Sequence, residues 1–209
     1  MKSHSHNGVQ MKSKKISSHI RREQIIEASL RILGDSEVKK LRITDIASYL
    51  NLVPSALYRH FKNKDEILMA ILDHIENSFS RGLETVRQTN NNTLDQLHEL
   101  LLLHTQLISK NHGIPRIIFS DEFWGPKRAK RRRLYDLITG YLSGIEGIIN
   151  EGQKVEEIRQ DIDPGVAAKM FLGIIQPGAL LSYMGDKDYN IEEHVVEIWP
   201  VFKKMLVNQ

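Results

Sequence analysis

The sequence predicts an all-α protein in which an N-terminal three-helix head of helix-turn-helix type is joined to a larger C-terminal helical body. Three observations carry this. Apolar residues recur at helical spacing along almost the whole chain, with hardly any run of alternating β-branched residues. Residues 42–64 read as two short helices joined by a tight turn. The charge also changes sign there: residues 1–64 hold 13 Lys+Arg against 5 Asp+Glu, a net of +8, while residues 65–209 hold 16 against 21, a net of −5. The expected organisation is a disordered basic arm over 1–17, the head over 18–64 and the body over 65–209.

The head begins where Ser17 or Ser18 caps a helix running to about Leu33. Ile25, Ile26, Ala28, Leu30, Ile32 and Leu33 give it a wide apolar face, and Gly34 closes it. Arg21 and Arg22 in its first turn oppose the helix dipole and suit a nearby phosphate as secondary contacts. Ile43, Ile46, Ala47 and Leu50 then follow the i, i+3, i+4, i+7 spacing of a second helix. Asn51 tolerates the left-handed conformation a sharp corner needs, and Leu52 plugs that corner. Pro54 suits the first position of a third helix, because its missing N–H has no helical partner there anyway. Ala56, Leu57 and Phe61 point inward, which leaves Ser55, Tyr58, Arg59 and His60 outside. Such a helix can lie in a major groove, its N-terminal residues at base edges and the others at phosphates. A buried helical hairpin shows the same pattern, but a basic head on an acidic body is what phosphate neutralisation requires.

Ile46-Ala47, the run Leu57-Tyr58-Arg59-His60-Phe61 and Lys64, preceded by a long amphipathic helix, resemble the DNA-binding head of the tetracycline-repressor (TetR) family of bacterial regulators over roughly residues 18–72. The resemblance implies base or backbone contacts from Pro54, Ser55, Tyr58 and Arg59, phosphate contacts from His60 and Lys64, and a further contact from Thr44. Two positions depart from the family pattern. Val53 cannot cap the recognition helix with its side chain, which typically forgoes about 1 kcal/mol. Arg42 stands where the family has a hydroxyl cap, and offers a charge to phosphate instead.

In the body, Asn63 caps a helix whose first turn carries Asp65 and Glu66, and Ile67, Ile71, Ile75, Phe79, Leu83 and Val86 run along it as a stripe. The stretch RQTNNNT separates it from a helix at about 94–110, and a shorter segment holds Ile117, Ile118, Phe119, Phe123 and Trp124 before Gly125-Pro126. The basic run at 127–133 opens the next helix. It reads first as a solvated face or an ion-pair partner for the acidic body, and second as an attractor for an anionic ligand at Arg128, Arg131 or Arg132; with no interleaved aromatics, the run by itself is weak evidence for a second nucleic-acid site.

Two last helices, about 164–184 and 191–206, are apolar on more than one face. Either one chain buries both, or a second copy covers them; small Gly173, Gly178 and Ala179 would let helices approach closely. The resemblance implies a homodimer through this pair, with Phe171, Ile174, Ile175, Leu181, Val195, Trp199 and Phe202 at the interface. Two-fold symmetry matches a palindromic site. Pro177 kinks the first of the two helices and frees the Gly173 carbonyl, which suits a pocket wall or a simple bend.

The expected lining of an effector pocket draws on His98, His104 and Thr105, on Phe119, Phe123 and Trp124, on Tyr135 and Tyr141, and on Met170 and Gln176. No catalytic residue is assigned: the chain has no Gly-rich phosphate loop, no G-x-S-x-G and no H-E-x-x-H. No metal set or cofactor is expected either. His98 and His104, six apart, do not share a helix face, and the chain contains no Cys. No apolar run approaches the roughly 18–20 residues of a membrane span, so a cytoplasmic protein without membrane partner is expected.

The sequence thus points to a DNA-binding head and a ligand-binding and dimerisation body. The resemblance implies a regulator, a repressor released from double-stranded DNA by an unknown small molecule. Regulation by a protein partner, or a nucleoid-associated role without an effector, are the alternatives.

Overall fold

The computed structural model describes residues 17–35, 40–89, 92–124, 128–184 and 189–207, except the side chain of Tyr183. The expected N-terminal arm and the Gly125-Pro126 break lie outside the described residues. Ten helices and no strand occur among those described: α1 (Ser18–Gly34), α2 (Ile43–Tyr49), α3 (Pro54–Leu57), α4 (Lys64–Thr89), α5 (Thr93–Lys110), α6 (Gly113–Ile118), α7 (Asp121–Trp124), α8 (Arg128–Lys154), α9 (Pro164–Met184) and α10 (Ile191–Leu206).

Local chemistry sets the boundaries in the head. Ser17 Oγ accepts from the Ile20 N–H at the start of α1. Asn51 has φ 54°, and Leu52 N–H donates across the corner to the Ala47 carbonyl at 2.8 Å, so the turn forms at the expected residue. Neither Arg42 nor Val53 makes a side-chain cap bond. The third helix is shorter than the sequence suggests. After Leu57 the chain bonds Arg59 N–H to Ala56 and His60 N–H to Leu57, an i→i−3 pattern that tightens Tyr58–His60 into turns. Asn63 Oδ1 then accepts from Glu66 N–H at 2.9 Å and Glu66 accepts from Lys62 N–H at 2.7 Å, which closes the start of α4.

Burial does not break at residue 64. One apolar cluster joins Ile25, Leu30, Ile46, Leu57 and Phe61 of the head to Ile67, Ile71 and Ile75 of α4 and on to Ile114, Ile117, Phe123, Leu134 and Leu137 of the body. A second cluster holds the far end of α4 with α5, α8, α9 and α10, and Phe79 packs against both. The head is therefore docked on α6. Arg116 at the end of α6 donates to the Leu33 carbonyl at 3.1 Å and also bonds the Asp35 carbonyl, placing a cation at the C-terminus of α1.

Two expectations for the last helices are corrected. Phe171, Ile174, Ile175, Val195, Trp199 and Phe202 are buried within this chain's own core and offer no surface to a second copy; of the seven residues expected at the interface, only Leu181 is exposed. Both faces of these helices are apolar, so periodicity could not say which one turns inward. The outward stripe is Val166, Met170, Gly173, Pro177, Leu180 and Met184, spaced alternately four and three apart, and a Cβ added at Gly173 would meet nothing within 4 Å. The second correction concerns length: Pro164–Ser182 is long and apolar enough to cross a membrane. Here its inward face packs as core through Phe171 and Ile175. The Pro177 kink is also used, since His194 Nε2 of α10 bonds the Ile174 carbonyl at 2.8 Å, next to the carbonyl that the proline frees.

The close approach of α6 to α1 depends on Gly113, where a Cβ would lie 2.1 Å from the Leu30 carbonyl oxygen. Backbone cannot yield as a flexible side chain can. Gly113→Ala should destabilise the fold by about 1–3 kcal/mol, as overpacking does. Urea unfolding checks this, and an unchanged midpoint would show that α6 can shift off α1 at no cost.

Candidate nucleic-acid interface and effector cavity

The corner at Asn51 and the inward anchors Leu57 and Phe61 leave one face of the head free. Pro54, Ser55, Tyr58 and Arg59 are exposed there, with Tyr58 at 54%, and no described residue bonds the side chains of Ser55, Tyr58 or Arg59. Arg42 is exposed at the start of α2, and Thr44, also exposed, donates to Asp45 at 3.2 Å. These side chains form a polar surface available to an external partner.

Three other side chains of the head are engaged internally. His60 is half-buried, with Nδ1 3.1 Å from Ser18 Oγ. Arg22 lies 3.9 Å over the Phe61 ring, donates to the His60 carbonyl and pairs with Glu66 at 3.2 Å. It staples α1 to the start of α4 and so is not free as a secondary phosphate contact. Lys64 is ion-paired to Glu122 of α7.

That pair belongs to a larger clasp. Lys130 of α8, only 5% exposed, donates to Asp65 at 3.0 Å and to Glu122 at 3.2 Å. Burial alone would lower its pKa, but the hydrogen bonds to the two carboxylates outweigh that and raise it. One turn on, Arg133 bonds Asp73 at 2.7 Å and Glu76 at 2.5 Å. Two of the run's cations, Lys130 and Arg133, therefore face inward and fasten α8 to α4. The ion-pair reading of that run holds for Lys130 and Arg133.

Farther along α4, a cavity of about 370 Å³ opens between α4, α5 and α8. Phe79, Leu100, Leu103, Leu107 and Tyr141 wall it, while Arg81, Gln106, Lys110 and Asn111 stand among its polar lining. Phe79 and Tyr141 stack at 4.2 Å, and His104 lies 4.6 Å from Phe79 and 5.3 Å from Tyr141 between ring centroids. His104 Nδ1 and Tyr141 OH are buried without a hydrogen-bond partner among the described residues. Each such orphan typically costs about 1–3 kcal/mol. Burial pushes the imidazole down to about 3 and pushes the phenol up, so both are neutral at pH 7.

The ten expected effector residues are not gathered here; only His104 and Tyr141 line this cavity. His98 instead stacks on Trp199 at 4.8 Å, Thr105 donates back to the Leu101 carbonyl, and Phe123 is buried in the head-side core. Phe119, Trp124, Tyr135, Met170 and Gln176 are exposed. Sequence reasoning missed Phe79 as a wall and Arg81 and Lys110 as flanking cations. A usable signal was the row Ser78, Gly82, Thr85 on α4, where small residues four and three apart open room beside Leu100.

Residues 25–71 match the family model described as bacterial regulatory proteins, tetR family, and residues 73–205 match that of the YsiA-like protein, C-terminal region. The chain belongs to the tetR family of bacterial regulators. Among curated relatives, a nucleoid occlusion factor SlmA from Idiomarina loihiensis is 26% identical over 189 residues, spanning 90% of this chain and 96% of that protein. The fatty acid metabolism regulator protein of Bacillus subtilis is 23% identical over 168 residues, 80% of this chain and 86% of that one. Among solved structures, the regulator FadR from Bacillus subtilis, in complex with stearoyl-CoA, superposes with a TM-score of 0.74 at 21% identity, covering 88% of this chain and 98% of that chain. FadR from Bacillus halodurans gives 0.75 at 18%, covering 91% and 96%. As a tetR-family member the chain is a DNA-binding transcriptional regulator, with a helix-turn-helix head and a helical regulatory body.

The ionisable groups have two testable consequences. Folded His104 stays neutral down to about pH 3, whereas in the unfolded chain it protonates near its ordinary 6.5. Its stabilising burial is complete above pH 6.5 and is lost as pH falls toward 3, with a slope of about 1.4 kcal/mol per pH unit. Urea midpoints at pH 7 and pH 5 should converge in His104→Phe; an identical pH dependence would sink the assignment. Glu122→Gln should free Lys64 for phosphate, tightening cognate and random duplexes alike by about three- to tenfold and steepening the salt slope by about 0.9. A lower melting temperature with unchanged DNA affinity would leave Glu122 a purely structural role.

Proposed function

We propose that the protein is a cytoplasmic homodimeric repressor, released from a palindromic operator when the α4/α5/α8 cavity takes up a small amphipathic anion. The cavity carries the reading. It lies within the 300–1,000 Å³ range of ligand sites, its walls are apolar, and two buried polar groups lack partners. A ligand oxygen accepting from Tyr141 OH would relieve one orphan, an apolar chain would fill the space along Phe79, Leu100 and Leu103, and Arg81 and Lys110 would hold an anionic end. The similar FadR structure is a complex with stearoyl-CoA, an amphipathic anion of this kind.

Release follows from α4. Its 26 residues span about 39 Å, with the cavity residues 78–85 toward one end and the recognition segment at the other. An occupant wedged against Phe79 tilts α4 against α5 and α8, and the head follows because it shares the α4 core. Such coupling typically amounts to about 1–3 kcal/mol and is reciprocal. The dimer forms through the outward stripe of α9, Val166 to Met184, with Val196 and Val201 of α10 exposed beside it. Tyr58 and Arg59 read bases, while Ser55, Arg42 and Thr44 position the backbone.

Kinship with nucleoid occlusion factors supports a second reading, a DNA binder answering to another macromolecule. Selection from a random duplex pool, followed by displacement with long-chain acyl-CoA thioesters and free fatty acids, separates the two. Enrichment of a palindrome that is lost in Arg59→Ala, and its release by an amphipathic anion but not in a Phe79→Trp variant with the cavity filled, supports the repressor. A palindrome bound equally with and without every anion tested would turn the reading to the effector-independent binder.

A further inference from the structure

We propose that the outward face of the first two turns of α8, formed by Arg128, Arg131, Arg132 and Tyr135, is a second phosphate-binding surface by which the body grips the DNA backbone flanking each operator half-site. The inference rests on the chain being a DNA reader and extends the interface beyond the head. The basic run divides by helix face. Lys130 and Arg133 turn inward to Asp65, Glu122, Asp73 and Glu76, together with the buried Leu134 and Leu137. Arg128, Arg131, Arg132 and Tyr135 fall at i, i+3, i+4 and i+7 on the opposite side, and all four are exposed.

The clasp also fixes where this face sits. Lys130 meets Asp65, Arg133 meets Asp73 and Glu76, Tyr141 stacks on Phe79, and Arg87 reaches the Gly144 carbonyl. These pairings advance in step along both helices, so α4 and α8 run in the same direction and the start of α8 lies level with the start of α4. Asn63 and Lys62, directly before α4, lead straight into the recognition segment. The arginine face thereby stands level with the start of α4, on the side of α8 opposite the ion pairs.

Little among the described residues balances the charge on that face. Cations three and four apart on one helix repel each other, and among the described residues the only relief is Arg132 paired with Asp136 at 2.9 Å, with its guanidinium 5.4 Å over the Tyr135 ring. A concentration of guanidinium on a body of net −5 has a use where that body comes closest to a polyanion. The guanidinium fork matches phosphate oxygens two at a time, and a tyrosine hydroxyl can donate to the same groups. Buried Lys130 holds the platform still, so little further ordering is needed on binding.

The test uses the full chain and a palindrome selected from random DNA, in two duplexes: the bare palindrome, and the same with about eight flanking base pairs on each side. The variant is R128Q/R131Q/R132Q, whose side chains lie outside the core; an unchanged thermal melt certifies its fold. Wild type should bind the flanked duplex at least tenfold more tightly than the bare one at about 0.15 M salt, and the variant should lose that gain while keeping the same consensus. Its salt slope on the flanked duplex should flatten by up to about 3 per protomer, near 0.9 for each phosphate that is no longer neutralised. Equal affinity and slope for variant and wild type on the flanked duplex overturn the proposal, as does an equal loss on both duplexes. Failure of the wild type to bind any duplex removes the DNA-reader reading itself, a separate and recognisable result.

Discussion

Lys130 is an ammonium group held almost out of water between the first turn of α4 and the short helix α7. An ammonium in such a place is tolerable only while its carboxylates stay in reach, and removing one partner of a buried pair typically costs about 3–5 kcal/mol. The arrangement is therefore demanding in geometry as well as in charge. Asp65 lies two residues beyond the N-cap that ends the recognition segment, Glu122 lies in the body, and Lys130 opens the longest helix. Whether these three side chains can meet decides how the start of α4 sits against α7 and α8. Lys64 joins the same Glu122, so one carboxylate serves both a buried lysine and a lysine that the family resemblance assigns to phosphate.

The clasp also changes how the charge balance should be read. A body of net −5 beside a DNA-reading head looks like a source of repulsion. At the head end, however, several of its acids are already paired: Asp65 and Glu122 by Lys130, Asp73 and Glu76 by Arg133, and Glu66 by Arg22 and the Lys62 N–H. Counting charge by segment gives the right sign for the head but misplaces the acidity of the body.

Where one residue type determines local geometry, the sequence was legible. Asn51 takes the left-handed turn, Pro54 opens α3, Asn63 and Glu66 close the start of α4, and the last two helices lie at 164–184 and 191–206 as the apolar spacing implies. Illegible were matters decided by tertiary choice. Phe171 and Met170 are neighbours in a helix apolar all round, yet one is core and the other surface; nothing in the spacing separates them. The aromatic residues of the 117–124 segment scatter because two turns of helix can present a ring to either side: Phe123 inward, Trp124 outward. His104 and Tyr141 were placed in a pocket by residue type, whereas His98, equally polar in an apolar stripe, is covered by Trp199.

The cavity and the clasp stand on one helix, and this determines what regulation can mean here. Ser78, Phe79, Gly82 and Thr85 face the cavity, while Asp65, Asp73 and Glu76 carry the ion pairs, with Phe79 packed into both apolar clusters between them. The helix is thus held at one end by charge and at the other by a pocket with two unpartnered polar atoms. On the proposed reading, filling the pocket would add contacts at one end of α4, and a tilt of the helix would strain the ion pairs of Asp65, Asp73 and Glu76 at the other. Two-state behaviour of this kind needs no long chain of intermediaries. It needs a stiff rod, a bistable contact at each end, and a ligand that distinguishes the two settings.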